Sequence, residues 1–253
     1  MTTLDLPPER KPMWARYRHG HHWRSIAEEF DGLKLGFWLF LSTEVLLFGG
    51  IFCAYFIFRT MHPEAWKEGS SMLDWKVGAF NTAVLLISSY TMAASIYCFQ
   101  TDQQARARRN LLITVVCGAA FVCIKLLLEY IPKWSGWFFV LDPSHSNHGY
   151  PTALGGLFYH IEGYGGKRPG MLFDFPFAVD AHMPLWWSVY YCGTAIHALH
   201  VLIGMALILR VWWRSLKGHY GPNYYAGVEI AGLYWHLVDL IWIFLFPLLY
   251  LIH

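Results

Sequence analysis

Five long apolar stretches divide this chain, and each is long enough to cross a lipid bilayer. A helix rises about 1.5 Å per residue and the hydrocarbon core is about 30 Å thick, so about twenty residues suffice. Hydrophobic residues make up 56% of the chain and charged residues only 14%, well below the share in soluble domains. The sequence therefore predicts an all-α integral membrane protein, a bundle of five transmembrane helices. The predicted spans have approximate bounds of 34–58, 75–99, 111–131, 185–213 and 227–252.

Two polar segments lie outside these spans. Residues 1–33 are rich in Arg and His, and they predict a cytoplasmic arm ahead of a membrane domain at 34–253. Residues 132–184 are too many for a simple connector, which predicts a long outer loop packed against the ends of the spans or against a neighbouring subunit. A net charge of +2, without a basic cluster interleaved with aromatic residues, argues against nucleic acid as a partner.

The basic residues beside the spans predict the orientation. Twelve Lys and Arg residues lie in the arm, at the start of the first span, and in the second and fourth connections, against six on the alternate side. Basic residues are retained on the cytoplasmic side of a membrane. The N-terminus is therefore predicted inside and, with five spans, the C-terminus outside.

Ionisable residues inside the spans are the main candidates for function, because each is costly unless it is paired or faces a polar cavity. Glu44 lies in the middle of the first span and is followed by Gly49 and Gly50, which allow close approach of another helix. Glu44 is either a proton-handling carboxyl group or a buried acid that forms hydrogen bonds between helices. Lys125 and Glu129 are four residues apart on one helix face, which favours a structural ion pair.

A second group of polar residues lies in the last two predicted spans. Their spacings could supply metal ligands, but a metal also needs an open, convergent site, and histidines bonded to acids across helices fit the same spacings. We therefore favour an interhelical polar network over a metal site. No Cys-x-x-Cys-His motif is present for covalent haem, and no thiolate pair for a dinuclear copper site. The sequence thus predicts no catalytic residue, cofactor or metal in this chain. The residues of this group are His197, His200, Glu229, His236 and Asp239.

Several sequence blocks together resemble subunit III of haem-copper oxidases, most closely the cytochrome c oxidases. They occur in the family's order and extend over nearly the whole chain from residue 33. The blocks are WLFLSTEVLLFGG at 38–50, NTAVLLISS at 81–89, KLLLEY at 125–130, HALHVLIG at 197–204, Glu229, and YWHLVDLIW at 234–242.

The resemblance implies a non-catalytic subunit of an aerobic respiratory complex in the bacterial inner membrane. Haem and copper would lie in partner subunits, with subunit I in direct contact and with subunit II and other respiratory complex subunits as further partners. The family's subunit III binds phospholipid, supports proton uptake and protects subunit I. Glu44 matches the family's carbodiimide-reactive intramembrane carboxylate, and the residues of the last two spans match positions of its polar network.

Two features depart from the mitochondrial form. Only the last five of its seven spans are matched, as in shorter bacterial versions, and the outer loop is longer. Other functions stay open on the sequence: subunit III of a quinol oxidase, a homologue associated with a nitric oxide reductase, a free-standing membrane metal enzyme that uses its histidines, or a proton channel through Glu44.

Overall fold

The structure, a computed structural model, describes most of the chain as helix. The first eleven residues, and most of the loop predicted at 132–184, lie outside the described residues. Those described are 12–71, 73–131, 137–139, 150–153, 158–160 and 181–252. The helices are α1 (Ile26–Met61), α2 (Pro63–Ser71), α3 (Trp75–Gln100), α4 (Gln104–Ile124), α5 (Met183–Leu216) and α6 (Ala226–Tyr250).

Five of these helices, α1, α3, α4, α5 and α6, are long and apolar enough to cross a membrane. The predicted number of spanning helices is confirmed. Helix α4 continues without a break into a π-helical turn, Lys125–Tyr130, and the two together form one span. Helix α1 begins at Ile26, ahead of the apolar stretch, so its first turns carry Glu28, Glu29 and Asp31.

Polar residues next to the helices explain where they begin and end. Glu28 donates its backbone N–H to the Ser25 hydroxyl over 3.1 Å at the start of α1. The Asp74 carboxylate accepts the N–H of Lys76 over 2.8 Å at the start of α3. Both contacts satisfy N–H groups that a helix start leaves without partners. Gly218 ends α5 with a φ of 72°, a backbone conformation that glycine adopts without strain.

The described part of the outer loop contains a small antiparallel sheet, which the sequence did not predict. Its strands are β1 (Trp137–Phe139), β2 (Tyr150–Ala153) and β3 (Phe158–His160), in the order β1-β3-β2. The pairing of β2 with β3 is irregular between Pro151 and Ala153. The spans are helical because backbone exposed to lipid must form its hydrogen bonds within its own segment, whereas a loop outside the membrane can form a sheet.

The chain divides into two compact units, and each spanning helix contributes residues to both. The first unit comprises residues 1–50, 83–119 and 196–243. Trp235 is fully buried in its core and donates its indole N–H to the Ser88 hydroxyl over 3.0 Å. A Cβ atom placed on Gly118 or Gly204 would lie 2.7 or 2.8 Å from the Trp235 ring, so these two glycines make room for it.

The N-terminal arm is attached to the first unit through Trp14. This side chain is only 4% exposed, and its backbone N–H donates to the carbonyl of Gly218 over 3.1 Å. Its ring covers Gly221, where a Cβ atom would approach it to 2.5 Å. Nearby, the ring of Tyr17 stacks on that of Tyr224, with centroids 3.8 Å apart. The described part of the arm is thus held against the connection between α5 and α6.

The second unit comprises residues 51–82, 120–195 and 244–253, and its described core is aromatic. Trp66, Trp186 and Trp187 are almost completely buried. The rings of Trp186 and Tyr190 stack with centroids 5.4 Å apart. The Tyr55 hydroxyl donates to the carbonyl of Leu248, which lies in the last turn of α6. That carbonyl would otherwise lack a helical partner.

Candidate functional site

A buried polar cluster in the second unit consists of Lys125, Glu129, Tyr190 and Tyr250. We refer to it as the lysine–glutamate cluster. The Lys125 ammonium donates to Glu129 Oε2 over 2.5 Å, and the Tyr190 hydroxyl donates to the same oxygen over 2.6 Å. The Tyr250 hydroxyl also donates to this oxygen and accepts from Lys125. None of the four residues is more than 4% exposed.

The cluster keeps an ion pair inside an apolar span. Burying two charges carries a desolvation cost that their attraction offsets only when further hydrogen bonds satisfy both groups. The two tyrosine hydroxyls supply these bonds, and the Lys125 ammonium also lies over both rings, 5.2 Å from the centroid of Tyr190 and 4.8 Å from that of Tyr250. Lys125 and Glu129 lie in the π-helical turn, a distortion that is frequent at functional positions.

Glu44 and His200 form a second polar pair, in the first unit. His200 Nε2 lies 2.9 Å from Glu44 Oε2, and His200 Nδ1 lies 2.7 Å from the carbonyl oxygen of Ile196. The side chains are 16% and 11% exposed, respectively. Phe48 presents its ring edge to the imidazole, with centroids 5.2 Å apart. Helix α1 thus supplies the acid and α5 the histidine.

The other three predicted residues of the first unit are His197, His236 and Asp239, and the Ser89 hydroxyl contacts two of them. His236 Nδ1 lies 2.7 Å from the Ser89 hydroxyl. Asp239 is 3% exposed and interacts with the Ser89 hydroxyl. The geometry of this contact, and of every other described contact to its carboxylate oxygens, falls short of a hydrogen bond. His197 is completely buried, with its ring centroid 5.0 Å from that of Trp242.

The last predicted residue, Glu229, lies at the start of α6 and forms an ion pair with Lys34. Lys34 Nζ lies 2.6 Å from Glu229 Oε1, and the two side chains are 35% and 22% exposed. The Lys34 ammonium also lies 4.5 Å from the centroid of the Phe30 ring. A partly exposed pair of this kind contributes little stability compared with a fully buried one.

An apolar groove of about 550 Å³ runs along the first unit between α1 and α6. Its walls are almost entirely hydrocarbon, and the lining side chains that carry polar groups are Trp38, Ser42 and His236. Typical ligand pockets have volumes of roughly 300–1,000 Å³. The lining residues are Trp38, Leu41, Ser42, Val45, Leu46, Leu233, His236, Leu237 and Leu240.

Some members of these pairs were not among the predicted residues. Tyr190, Tyr250 and Ser89 carry ordinary polar groups, and their spacing gives no sign that they contact Lys125, Glu129 or His236. Tyr190 is separated from Glu129 by 61 residues and Tyr250 by 121. Only the requirement that buried charges have partners could have indicated that additional donors were needed.

Among the residues that the structure describes, no three His, Cys, Asp or Glu side chains converge as a metal site would require. His197 and His200 lie three residues apart, but His200 is directed to Glu44 while His197 packs beside Trp242. Within the described spans, the ionisable groups thus contact carboxylates, hydroxyl groups and aromatic rings of the same chain. The arrangement can hold helices together and can bind protons.

The sequence profile of the family described as "Cytochrome c oxidase subunit III" matches residues 14–135 and 174–253 of this chain. The chain belongs to this family. The two matched segments contain all five spans, the lysine–glutamate cluster and the Glu44–His200 pair. Residues 136–173, in the outer loop, are not matched.

Curated relatives support the assignment to cytochrome c oxidase subunit III. The protein named "Cytochrome c oxidase subunit 3" from Thermostichus vulcanus is 32% identical over 228 residues, which cover 89% of this chain and 90% of the relative. The protein of that name from Synechocystis is 32% identical over 92% of this chain and 79% of its own length. The one from Mammuthus primigenius is 27% identical over 91% of this chain and 72% of its own length.

Proposed function

We propose that this chain is a non-catalytic subunit III of a cytochrome c oxidase, which stabilises subunit I by direct contact and supports its proton uptake. The observation that carries the proposal is the pairing of ionisable groups inside the spans. Lys125 with Glu129, and Glu44 with His200, meet at 2.5 and 2.9 Å within the chain. Such pairs give a polar interior that holds the helices in position without a redox centre of their own.

The proposed orientation places the N-terminus in the cytoplasm and the C-terminus outside, in the cell membrane of a bacterium. Twelve basic residues would then face the cytoplasm. Arg106 and Arg108 are among them, and Arg108 donates to the Ser215 carbonyl over 2.8 Å, which fixes its charge near the membrane surface. A fixed charge pattern at the surface modifies the local proton concentration beside the catalytic subunit.

The first experiment is purification of the complex in mild detergent through a tag on this chain. A visible spectrum and a metal count are then taken on the complex and on the chain after separation. We expect haem and copper in larger co-purifying subunits and none in the separated chain. Metal retained by the separated chain would overturn the non-catalytic assignment and favour a membrane metal enzyme.

The groove between α1 and α6 is proposed to hold an acyl chain of a phospholipid. Its walls are hydrocarbon, and Val45, Leu46 and Leu240, which line it, are about half or more exposed. Lipid retained on the purified complex can be counted by mass spectrometry. Val45→Trp should fill the groove and lower the count, while Leu47→Trp, on an exposed position of α1 outside the groove, should not. Equal lipid counts in the two variants would contradict the proposal.

Gly49 and Gly50 are proposed to meet a helix of a partner subunit. The sequence indicates that they allow a close helix approach, and among the described residues nothing outside the adjoining helix backbone would lie within 4 Å of a Cβ placed on either. The space beside them is therefore available to another chain. Gly50→Leu should reduce the amount of subunit I that co-purifies with this chain, and unchanged recovery would contradict the contact.

The outer loop is proposed to bind a partner on the outer face, such as a cytochrome domain or another respiratory complex. The support is that residues 136–173 fall outside the family match while the flanking residues fall within it. Replacing 136–173 by a short Gly-Ser linker should leave the spans assembled and slow electron delivery to the oxidase. Unchanged assembly together with unchanged electron transfer would contradict a docking role.

A further inference from the structure

Tyr90 lies on the outward face of α3 and is 74% exposed, more than any other large apolar or aromatic side chain of that helix. The residues on either side of it direct their hydroxyl groups into the first unit. Ser89 contacts His236 Nδ1 over 2.7 Å, and Thr91 contacts the Thr114 hydroxyl over 2.8 Å. Among the residues that the structure describes, none forms a hydrogen bond with the Tyr90 hydroxyl. This phenol is therefore available to a molecule outside the chain.

The depth of Tyr90 in the span makes its hydroxyl costly. Helix α3 covers Trp75–Gln100, so its midpoint falls between residues 87 and 88. Tyr90 lies about 4 Å from that midpoint, and about 11 Å then remain to the edge of a hydrocarbon core about 30 Å thick. Helical side chains tilt towards the N-terminus, which carries the phenol back towards the centre of the span. The hydroxyl thus does not reach water or lipid headgroups, and a polar group without a partner in hydrocarbon is unfavourable.

Tyr97 faces outward from the same helix but lies at a different depth. It is 62% exposed and comes three residues before the end of α3 at Gln100. Tyrosine is enriched at this level of membrane helices, where its ring lies among the headgroups. The Tyr97 hydroxyl therefore needs no protein partner, whereas the Tyr90 hydroxyl does.

The face around Tyr90 has the pattern of a surface that packs against another helix. Positions at alternating intervals of four and three residues lie along one side of a helix, as in the contact line of paired helices. Here they are Ala83, Ile87, Tyr90, Ala94 and Tyr97. Ala83 is exposed and Ala94 is half-buried, so neither extends far from the helix. Small residues of this kind let a second helix approach closely in a membrane.

We propose that the face of α3 formed by Ala83, Ile87, Tyr90 and Ala94 binds a transmembrane helix of another oxidase subunit, which accepts a hydrogen bond from the Tyr90 hydroxyl. The acceptor is a Ser, Thr, Asn, Gln or His side chain, because these groups form hydrogen bonds across helices in a bilayer. Acyl chains alone do not satisfy this face, since the hydrocarbon region contains no acceptor of their own. The contact rests on the chain's place in an oxidase complex, which the co-purification described above tests separately.

The first experiment places the photoreactive residue p-benzoylphenylalanine at position 90 of the tagged chain in its native membrane. Illumination should join this chain to one other subunit, and mass spectrometry of the digested product should locate the joined residue in a transmembrane segment. Adducts with phospholipid only, or with a second copy of this chain only, would overturn the proposal. Co-purification of haem-containing subunits without any adduct at position 90 would reject this contact and leave the supporting role of the chain standing.

Tyr90→Phe tests the hydrogen bond itself, because it removes one oxygen atom and leaves the ring in place. The comparison uses the detergent concentration at which half of the wild-type chain has left the complex. There the ratio of bound to free chain should fall roughly threefold in Tyr90→Phe, the effect of losing one average bond between membrane helices. Tyr97→Phe loses the same atom near the membrane surface and should match wild type. Equal ratios in the two variants would overturn the proposed bond.

Discussion

Glu129 accepts the ammonium of Lys125 and the hydroxyl of Tyr190 on the same carboxylate oxygen, at 2.5 and 2.6 Å, in a region closed to solvent. The two charges of the ion pair lie within the π-helical turn that ends the third span. Because this turn displaces the following residues relative to a regular α-helix, it determines which way both side chains are directed.

Removing one charge of this pair should destabilise the chain more than removing both. Lys125→Met leaves the Glu129 carboxylate buried without its cation, and loss of one partner of a buried pair costs about 3–5 kcal/mol. Lys125→Met combined with Glu129→Gln should recover part of that loss, because neither charge is then buried alone. Detergent-induced unfolding of the full chain measures Lys125→Met, Glu129→Gln and the double variant. Strictly additive losses would show that the pair is not coupled.

A methyl group should be tolerated at Gly49 and not at Gly204. Gly204→Ala would bring a Cβ atom within 2.8 Å of the buried Trp235 ring, and overpacking of this kind costs about 1–3 kcal/mol. The methyl group of Gly49→Ala would meet no other helix in the described part of the chain, and helix propensity favours Ala over Gly by about 1 kcal/mol. The unfolding midpoint of the full chain in detergent compares the two. Equal midpoints would indicate that Trp235 can move away.

Trp14→Ala should release the N-terminal arm from the first unit. Trp14 is buried against Gly221, whereas its neighbour Met13 is 46% exposed and serves as the control. Limited trypsin digestion of the complex should cut after Arg16 or Arg18 faster in Trp14→Ala than in wild type, and Met13→Ala should match wild type. If both variants are cut at the wild-type rate, the Trp14 contact does not hold the arm.

Asp239→Leu should lower the amount of chain that assembles with the haem-containing subunits. Leucine would remove the carboxylate with which the half-buried Ser89 hydroxyl of α3 interacts, and a hydrogen bond between membrane helices contributes about 0.6 kcal/mol on average. Asp239→Asn keeps polar atoms at this position and should assemble. Recovery of the complex in mild detergent is the measurement. Wild-type recovery of Asp239→Leu would contradict the polar role.

Glu44→Gln should leave assembly intact. The glutamine amide has nearly the shape of the carboxyl group and carries both a donor and an acceptor, so it can keep a hydrogen bond to His200 Nε2. Glu44→Leu leaves Nε2 without a partner, and an interhelical bond of this kind contributes about 0.6 kcal/mol on average in a membrane protein. Unfolding midpoints should therefore rank Glu44→Gln above Glu44→Leu, and the reverse order would argue against the Glu44–His200 bond.

The five spans could be predicted because the bilayer sets their length. An apolar run of twenty residues has few alternatives to a crossing helix, and the observed helices cover every predicted run to within two residues. Helix α2 and the sheet in the outer loop were not predicted. Both are short, and their residues, such as Trp66 in α2 and Tyr159 in β3, give no periodic signal of sufficient length.

Pairs within one helix were easier to predict than pairs between helices. The spacing of Lys125 and Glu129 suggests a contact directly. Glu44 and His200 are 156 residues apart, and Ser89 and His236 are 147 apart, so their pairing depends on how the helices pack. A periodic pattern shows which face of a helix is polar, but it does not show which neighbouring helix that face meets.

The attachment of Trp14 to Gly218 and Gly221 has a consequence for the order of events during translation. The arm leaves the ribosome before any of the five spans, while the connection that receives it is made only after four spans have been synthesised. The arm therefore stays unattached until that connection has been made. A chain truncated before Gly218 would lack the groups that hold Trp14, and its arm would be open to proteases.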